Sequence, residues 1–227
     1  MLPDERLRTA AELVRQGAVF ADIGTDHAYL PVFLCEEGRI TRAVAADIGE
    51  GPLAVARAHI ALYGLEGRIR THLADGLAGL ENEGLTDIAV CGMGGELIVQ
   101  ILAAAPFLRA KGVRLILQPM THAADLRYYL AGEGFAITEE RLAKAAGKYY
   151  FCFAADYIGV PYEIDRLTAE MGRGSESSPY YATVLKKKIA SQEKKCAGLS
   201  QGGLPDAEEL AYLDALRRKE NEILDKK

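Results

Sequence analysis

Short apolar runs alternate along the first 160 residues with stretches in which apolar positions recur every three or four residues. Ala18–Ala21 reads as a buried strand. Tyr29, Leu30, Phe33 and Leu34 beyond it mark a helical stripe. The alternation continues with Ala43–Ala46 as a strand, a helix opened by Gly51-Pro52 and running to Leu62, and Ile69–Leu73 as a strand. Asp87–Cys91 is the fourth strand, with Leu97, Ile98, Ile101 and Leu102 as the buried stripe of the helix after it. Val113–Leu117 is the fifth, where Pro119 is expected to end regular pairing. A helix with Leu126, Tyr129 and Leu130 inward leads to two last strands, one from Gly134 and one over Tyr149–Tyr157, too closely linked to be anything but a hairpin. This is an α/β pattern: five βα units in a Rossmann-like, mostly parallel sheet with a terminal antiparallel hairpin. An amphipathic helix over 4–16 precedes it, with Arg6, Arg8 and Arg15 either solvated or forming a basic lip beside a cleft.

From residue 161 the pattern changes. Residues 161–178 read as an irregular joint rich in Gly and Ser. Ser178-Pro179 then signals a helix start. Ala182, Leu185, Ile189, Gln192, Cys196 and Leu199 form a narrow heptad seam. Ser200–Pro205 reads as a turn, Asp206 with Glu209 as a capping box, and Leu210, Leu213, Leu216 and Ile223 as the returning seam. The expected division is a catalytic domain over 1–160 and an antiparallel helical arm over 161–227. Lys187, Lys188, Lys194 and Lys195 share one side of the arm, as a solvated face or a phosphate-gripping one.

Composition narrows the function classes. The 227 residues are 49% hydrophobic with a net charge of −5, which argues against an indiscriminate polyanion binder. All of that charge lies in residues 1–160, so the arm is the more basic part. Four scattered cysteines make neither a zinc site nor a disulfide framework, and a reducing cytoplasm is the default. No signal peptide and no membrane-spanning run is seen; no metal is expected, and a monomer or weak dimer is.

The candidate chemistry lies where strands end. Asp22-Ile-Gly-Thr-Asp-His-Ala-Tyr-Leu-Pro31 closes the first strand on an acid, turns at Gly24 and opens a helix. It lacks the second and third glycines of a dinucleotide fingerprint, and Asp22 and Asp26 would repel a pyrophosphate. A sulfonium-bearing, zwitterionic cofactor such as S-adenosylmethionine suits that polarity. Asp47 ends the second strand at the distance expected of a ribose ligand. Asp75-Gly76 follows the third, and Gly92-Met93-Gly94-Gly95 the fourth. Each acid alone could be a helix cap; three in successive units suggest a site.

These motifs, with Leu115-Ile-Leu-Gln-Pro119, resemble the bacterial tRNA (adenine-22-N1) methyltransferase family over nearly the whole chain. Met120 departs from the asparagine often found there. The resemblance implies a class I methyltransferase with S-adenosyl-L-methionine as cofactor, tRNA as partner and N1 of an adenosine, position 22, as acceptor. It implies cofactor contacts from Asp22, Gly24, Thr25, His27, Asp47, Ile48, Asp75, Gly76, Gly92 and Met93. Asp26 is the candidate catalytic residue, its carboxylate stabilising positive charge on the methylated ring. The fourth strand carries no Asp/Asn-Pro-Pro-aromatic motif for an exocyclic amine, which fits a ring nitrogen. Tyr29 either stacks on a flipped base or packs in the core. His59, His72 and His122 read as surface or packing residues. The alternatives are an NAD-dependent oxidoreductase and a non-catalytic RNA-binding protein on the same fold.

Overall fold

The computed structural model describes residues 4–110, 112–201 and 206–225. The chain forms two compact units, Met1–Glu163 and Ile164–Lys227. In the first, α1 (Glu5–Leu13) is capped by the Asp4 side chain, which accepts from the Leu7 N–H. There follow β1 (Ala18–Ile23), α2 (Tyr29–Glu36), β2 (Ile40–Asp47), α3 (Glu50–Leu62), β3 (Ile69–Leu73), β4 (Asp87–Gly94), α4 (Gly95–Ala103), β5 (Arg114–Thr121), α5 (Ala123–Gly132), β6 (Phe135–Ala145) and β7 (Lys148–Tyr157). The seven strands lie in the order β3-β2-β1-β4-β5-β7-β6, parallel except for β7, which runs antiparallel to both β5 and β6.

Period-two alternation divides the strand residues between two cores. Phe20, Ala43, Ala45, Ala89 and Ile116 join Ala10, Leu30, Leu34 and Ile60 of α1, α2 and α3 on one face. Ala21, Ile23, Val44, Ile88, Val90, Leu115 and Leu117 join Ile98, Leu102, Leu126 and Leu130 of α4 and α5 on the other. Central strands buried on both faces explain the near-continuous apolar runs of the sequence.

Four expectations are corrected. The third unit has no helix: turns span the segment between β3 and β4 among the described residues. Leu97 is 47% exposed and leaves the stripe of α4. Pairing does not stop at Pro119, which lies in register with Met93, nor does β4 stop at Cys91. Beyond Leu117, β5 is paired only on its β4 side, so a residue without an N–H is tolerated there. Finally, Arg15 belongs to no lip. It grips the fully buried Asp87 at the start of β4, at the opposite end of the sheet from the strand-ending acids.

In the second unit α7 (Tyr181–Gln201) and α8 (Ala207–Leu224) pack antiparallel, with Gln192 donating to the Glu209 carbonyl and Arg217 meeting Glu193. Leu185, Ile189, Gln192 and Cys196 face Tyr212, Leu213 and Leu216 in the buried seam, whereas Leu199 and Leu210 are exposed. Residues 202–205 of the expected turn lie outside the described residues. The joint contains a short helix that sequence reading missed, α6 (Arg166–Met171), capped by Asp165 accepting from the Thr168 N–H. Asp206 caps α8, but Glu209 does not complete a box. Its carboxylate instead accepts from Gln192, Lys195 and Arg166. A cluster of three donors outbids one backbone N–H.

Candidate active site

The acids that end β1, β2 and β3 are brought to the carboxyl edge of the sheet, as parallel register requires. Asp22 is buried, 8% exposed, and the Thr25 hydroxyl donates to it at 2.7 Å. Burial pushes the Asp22 carboxyl up to about 6; the Thr25 hydrogen bond opposes this and the nearby Asp47 charge adds to it. Gly24 (φ +74°) and Thr25 both donate to the Ala46 carbonyl, tying the turn to β2. The positive φ favours glycine here; a Cβ would meet only the mobile methyl of Met93, 2.0 Å away, which would have to swing aside.

The turn then exposes Asp26, whose side chain is 78% accessible and 3.3 Å from His27. Ala28 takes a left-handed conformation (φ +53°) and no side chain caps α2, so Asp26 is not the helix cap that was its alternative role. The His27 carbonyl is fixed by His59 Nδ1 at 2.7 Å, and His27, Tyr29, His59 and Tyr63 form a run of touching rings. His59 thus has a place beside the turn that the sequence did not reveal. Tyr29 is half-buried, between its two readings.

Asp22, Gly24, Thr25, Asp26, His27 and Gly92 line one cleft of about 430 Å³. Its other wall holds Asp4, Arg6 and Cys91. Burial raises the Cys91 thiol well above its ordinary value, so it is a neutral wall rather than a nucleophile. Asp47 stands beside this cleft. One carboxylate oxygen accepts from Gly49 N–H at 2.8 Å, and the other has no partner among the described residues. Ile48 next to it is 71% exposed. Asp75 and Gly76 do not line the first cleft but a second, of about 460 Å³, with Ile101 and Phe107. Met93 touches the turn through Gly24.

Two features escaped sequence reading. Arg6 reaches into the cleft wall, and buried Gln118 receives it; the basic-lip alternative was the only signal. At the same sheet edge, ligand atoms of exposed Glu96, His122 and Asp125 lie within 4.8 Å of one another. The Asp125 hydrogen bond and the Glu96 charge raise the His122 pKa.

The chain matches the family described as "Methyltransferase domain" over residues 3–153, well over half its length. It is 38% identical over 152 residues to the tRNA (adenine(22)-N(1))-methyltransferase of Bacillus subtilis, a match spanning 67% of this chain and 64% of that protein. A Streptococcus pneumoniae structure with S-adenosyl-L-methionine, described as a candidate tRNA (m1A22) methyltransferase, superposes with TM-score 0.80 at 32% identity, covering 98% of this chain and 100% of that one. The M. capricolum TrmK structure with S-adenosyl-homocysteine gives TM-score 0.78 at 25% identity, covering 96% and 97%.

Proposed function

The chain belongs to the bacterial tRNA (adenine(22)-N1)-methyltransferase family of class I S-adenosylmethionine-dependent enzymes, and from that premise we propose that it methylates N1 of adenosine 22 in tRNA. The observation that carries the reading is the polarity of the cleft. Asp22 and Asp26 face it, Asp47 stands beside it, and Arg6, the one arginine or lysine in its wall among the described residues, is already paired with Asp4. A cationic cofactor fits these carboxylates, and Gly24 turns the chain at φ +74° beside them. S-adenosylmethionine, when bound, supplies a methyl group activated on a sulfonium.

Asp22 holds the positively charged end of that cofactor, Asp47 offers its unpaired oxygen to ribose hydroxyls, and Asp75 and Gly76 border the adenine. Thr25 keeps the Asp22 carboxylate turned toward the cleft. Gly92, Met93, His27 and Ile48 complete the enclosure. The acceptor nitrogen carries a lone pair at neutral pH, so no base is needed and orientation supplies most of the acceleration. Positive charge develops on the adenine ring, and stabilising it is the role this reading gives to the carboxylate of Asp26, which lines the cleft. Residues 1–160 are the catalytic domain and 161–227 an arm; the reaction belongs to the cytoplasm, where tRNA is found.

The test is to incubate the protein with unmodified tRNA and S-adenosylmethionine and to map the product. Methyl on N1 of adenosine 22 is expected. Methyl at another nucleotide, or none under conditions where the cofactor binds, overturns the proposal.

A further inference from the structure

Gln118 is fully buried near the carboxyl end of β5, and its carboxamide meets four groups, the Met120 sulfur accepting from Nε2 at 3.7 Å and three others. The Oε1 oxygen accepts from Arg6 Nη1 at 2.7 Å and from the Gly92 N–H at 3.2 Å; Nε2 donates to the Pro119 carbonyl at 2.9 Å. Only one orientation of the amide satisfies this set. Turned over, it would place its oxygen against a carbonyl and its NH₂ against two donors. Arg6 is itself fixed on the other side, with Nε and Nη2 donating to Asp4 at 3.0 and 2.7 Å. Its guanidinium lies over the Tyr150 ring, 5.5 Å from the centroid, and the Met120 sulfur accepts from Nη1 at 3.2 Å. The first turn of α1 is thus strutted, through one buried amide, to the glycine that lines the cleft across from the Asp22 turn.

We propose that Arg6 is a positioning residue for methyl transfer: through Gln118 it sets the Cys91–Gly92 peptide, in the wall of the cleft where the acceptor base meets the methyl group of the cofactor. The inference rests on the methyltransferase reading above. Gly92 at φ +80° has no side chain to fix it, so the placing of its peptide depends on the hydrogen bond it donates. Removing Arg6 leaves Gln118 with one donor fewer and a choice of rotamers. Because in-line transfer is sensitive to misplacement by a fraction of an ångström, loss of the strut slows the step without emptying the cofactor site.

The experiment compares Arg6→Met, which keeps the apolar stem over Tyr150, with Arg6→Lys, Gln118→Met and the Arg6→Met/Gln118→Met double variant. Three quantities are read: S-adenosylmethionine affinity by calorimetry, kcat and KM for tRNA, and the ¹⁵N–¹H resonance of Gly92. Arg6→Met should lower kcat by about tenfold or more, with cofactor affinity and tRNA KM within about twofold of wild type. Arg6→Lys, whose ammonium can still donate to Gln118, should recover a substantial part of kcat. The double variant should be no slower than the slower single, as expected of residues acting as one unit. The Gly92 resonance should move in Arg6→Met and return toward wild type in Arg6→Lys. Wild-type kcat in Arg6→Met, a matching loss of cofactor affinity, or effects of the two sites that multiply would each overturn the proposal. If Gln118→Met does not fold, the Met and Lys variants at position 6 decide alone. If wild-type protein transfers no methyl to tRNA, it is the functional reading that fails. The Gly92 resonance then still decides the strut, and an unshifted resonance in Arg6→Met refutes it.

Discussion

Asp22, Asp26 and Asp47 at the sheet edge of the first unit meet no arginine or lysine among the described residues, whereas carboxylates that hold the helical unit together do. Asp22 is held against its own ionisation up to about 6, and Asp26 stands 78% exposed with only a histidine beside it. In the second unit Glu209 collects Lys195, Gln192 and Arg166, which pull its carboxyl down to about 2. Glu170 holds Lys188 and Glu176 holds Lys219. Uncompensated charge has a cost, so its retention marks where a ligand is to supply the partner; compensated charge marks where helices are held to each other. The same residue type therefore has opposite meanings in the two units, and the comparison can be broken at several points.

The largest effect is expected at Asp26. Asp26→Asn keeps size and hydrogen bonding and removes the charge. Single-turnover methyl transfer should fall by about 100-fold, with cofactor affinity nearly unchanged. A variant with wild-type transfer rate would show that this acid only meets solvent and His27.

Asp22 gives a smaller, pH-dependent effect. A positively charged cofactor selects the ionised carboxylate, so affinity should fall by about tenfold between pH 7 and pH 5, as the acid with a pKa of about 6 takes up its proton. Asp22→Asn should flatten that profile. The sign for stability is opposite. In the unfolded chain the group ionises near 3.9, so below about pH 4 both states hold the proton and nothing is lost. As pH rises through about 6 the folded, ligand-free protein must release a proton it binds more tightly, and stability falls. Thermal melts of the ligand-free protein should show Asp22→Asn gaining on wild type between pH 4 and pH 8. Equal profiles for the two proteins would mean that Asp22 is not under strain.

How much of this was legible in sequence depends on range. The order of the seven strands, and the acids at or just beyond the ends of the first three, follow from local periodicity and are where reading placed them, whereas the absent helix of the third unit and the short α6 were not legible. The Gly24 turn was readable because a positive φ and a strand-helix junction leave a local mark. What failed was set by distant partners. Arg15 and Arg6 look alike in one helix, yet Asp87 draws one to the start of β4 and Gln118 draws the other into the cleft. Glu209 has the spacing of a capping box and is taken by three donors from elsewhere in the unit. Leu97 continues an apolar stripe, yet it is left 47% exposed. Pairing beyond Pro119 could not be read from β5, because it depends on where β7 stops.

The smallest effect sharpens the comparison on the helical side. The four lysines of α7 were read as one face, but they differ in setting. Lys188 lies 2.6 Å from Glu170 and Lys195 2.8 Å from Glu209, so each is committed to a pairing within the unit. Lys187 and Lys194 are both exposed. Exposed and half-exposed pairs contribute at most about 1 kcal/mol each, because solvent screens them and the side chains lose freedom. Changing Lys188 and Lys195 together to alanine should therefore lower the melting temperature slightly and leave the salt dependence of tRNA binding nearly as it was. Changing the exposed Lys187 and Lys194 should alter melting by no more than about the same small amount. If this side of α7 meets phosphates, that second variant should flatten the log–log salt slope by up to about one unit per lysine. Equal slopes for both variants and wild type would assign all four lysines to solvent and helix pairing. A larger slope change from Lys188 and Lys195 would mean that RNA competes with Glu170 and Glu209 for them, and the separation between ligand-seeking and helix-holding charge would fail in this unit.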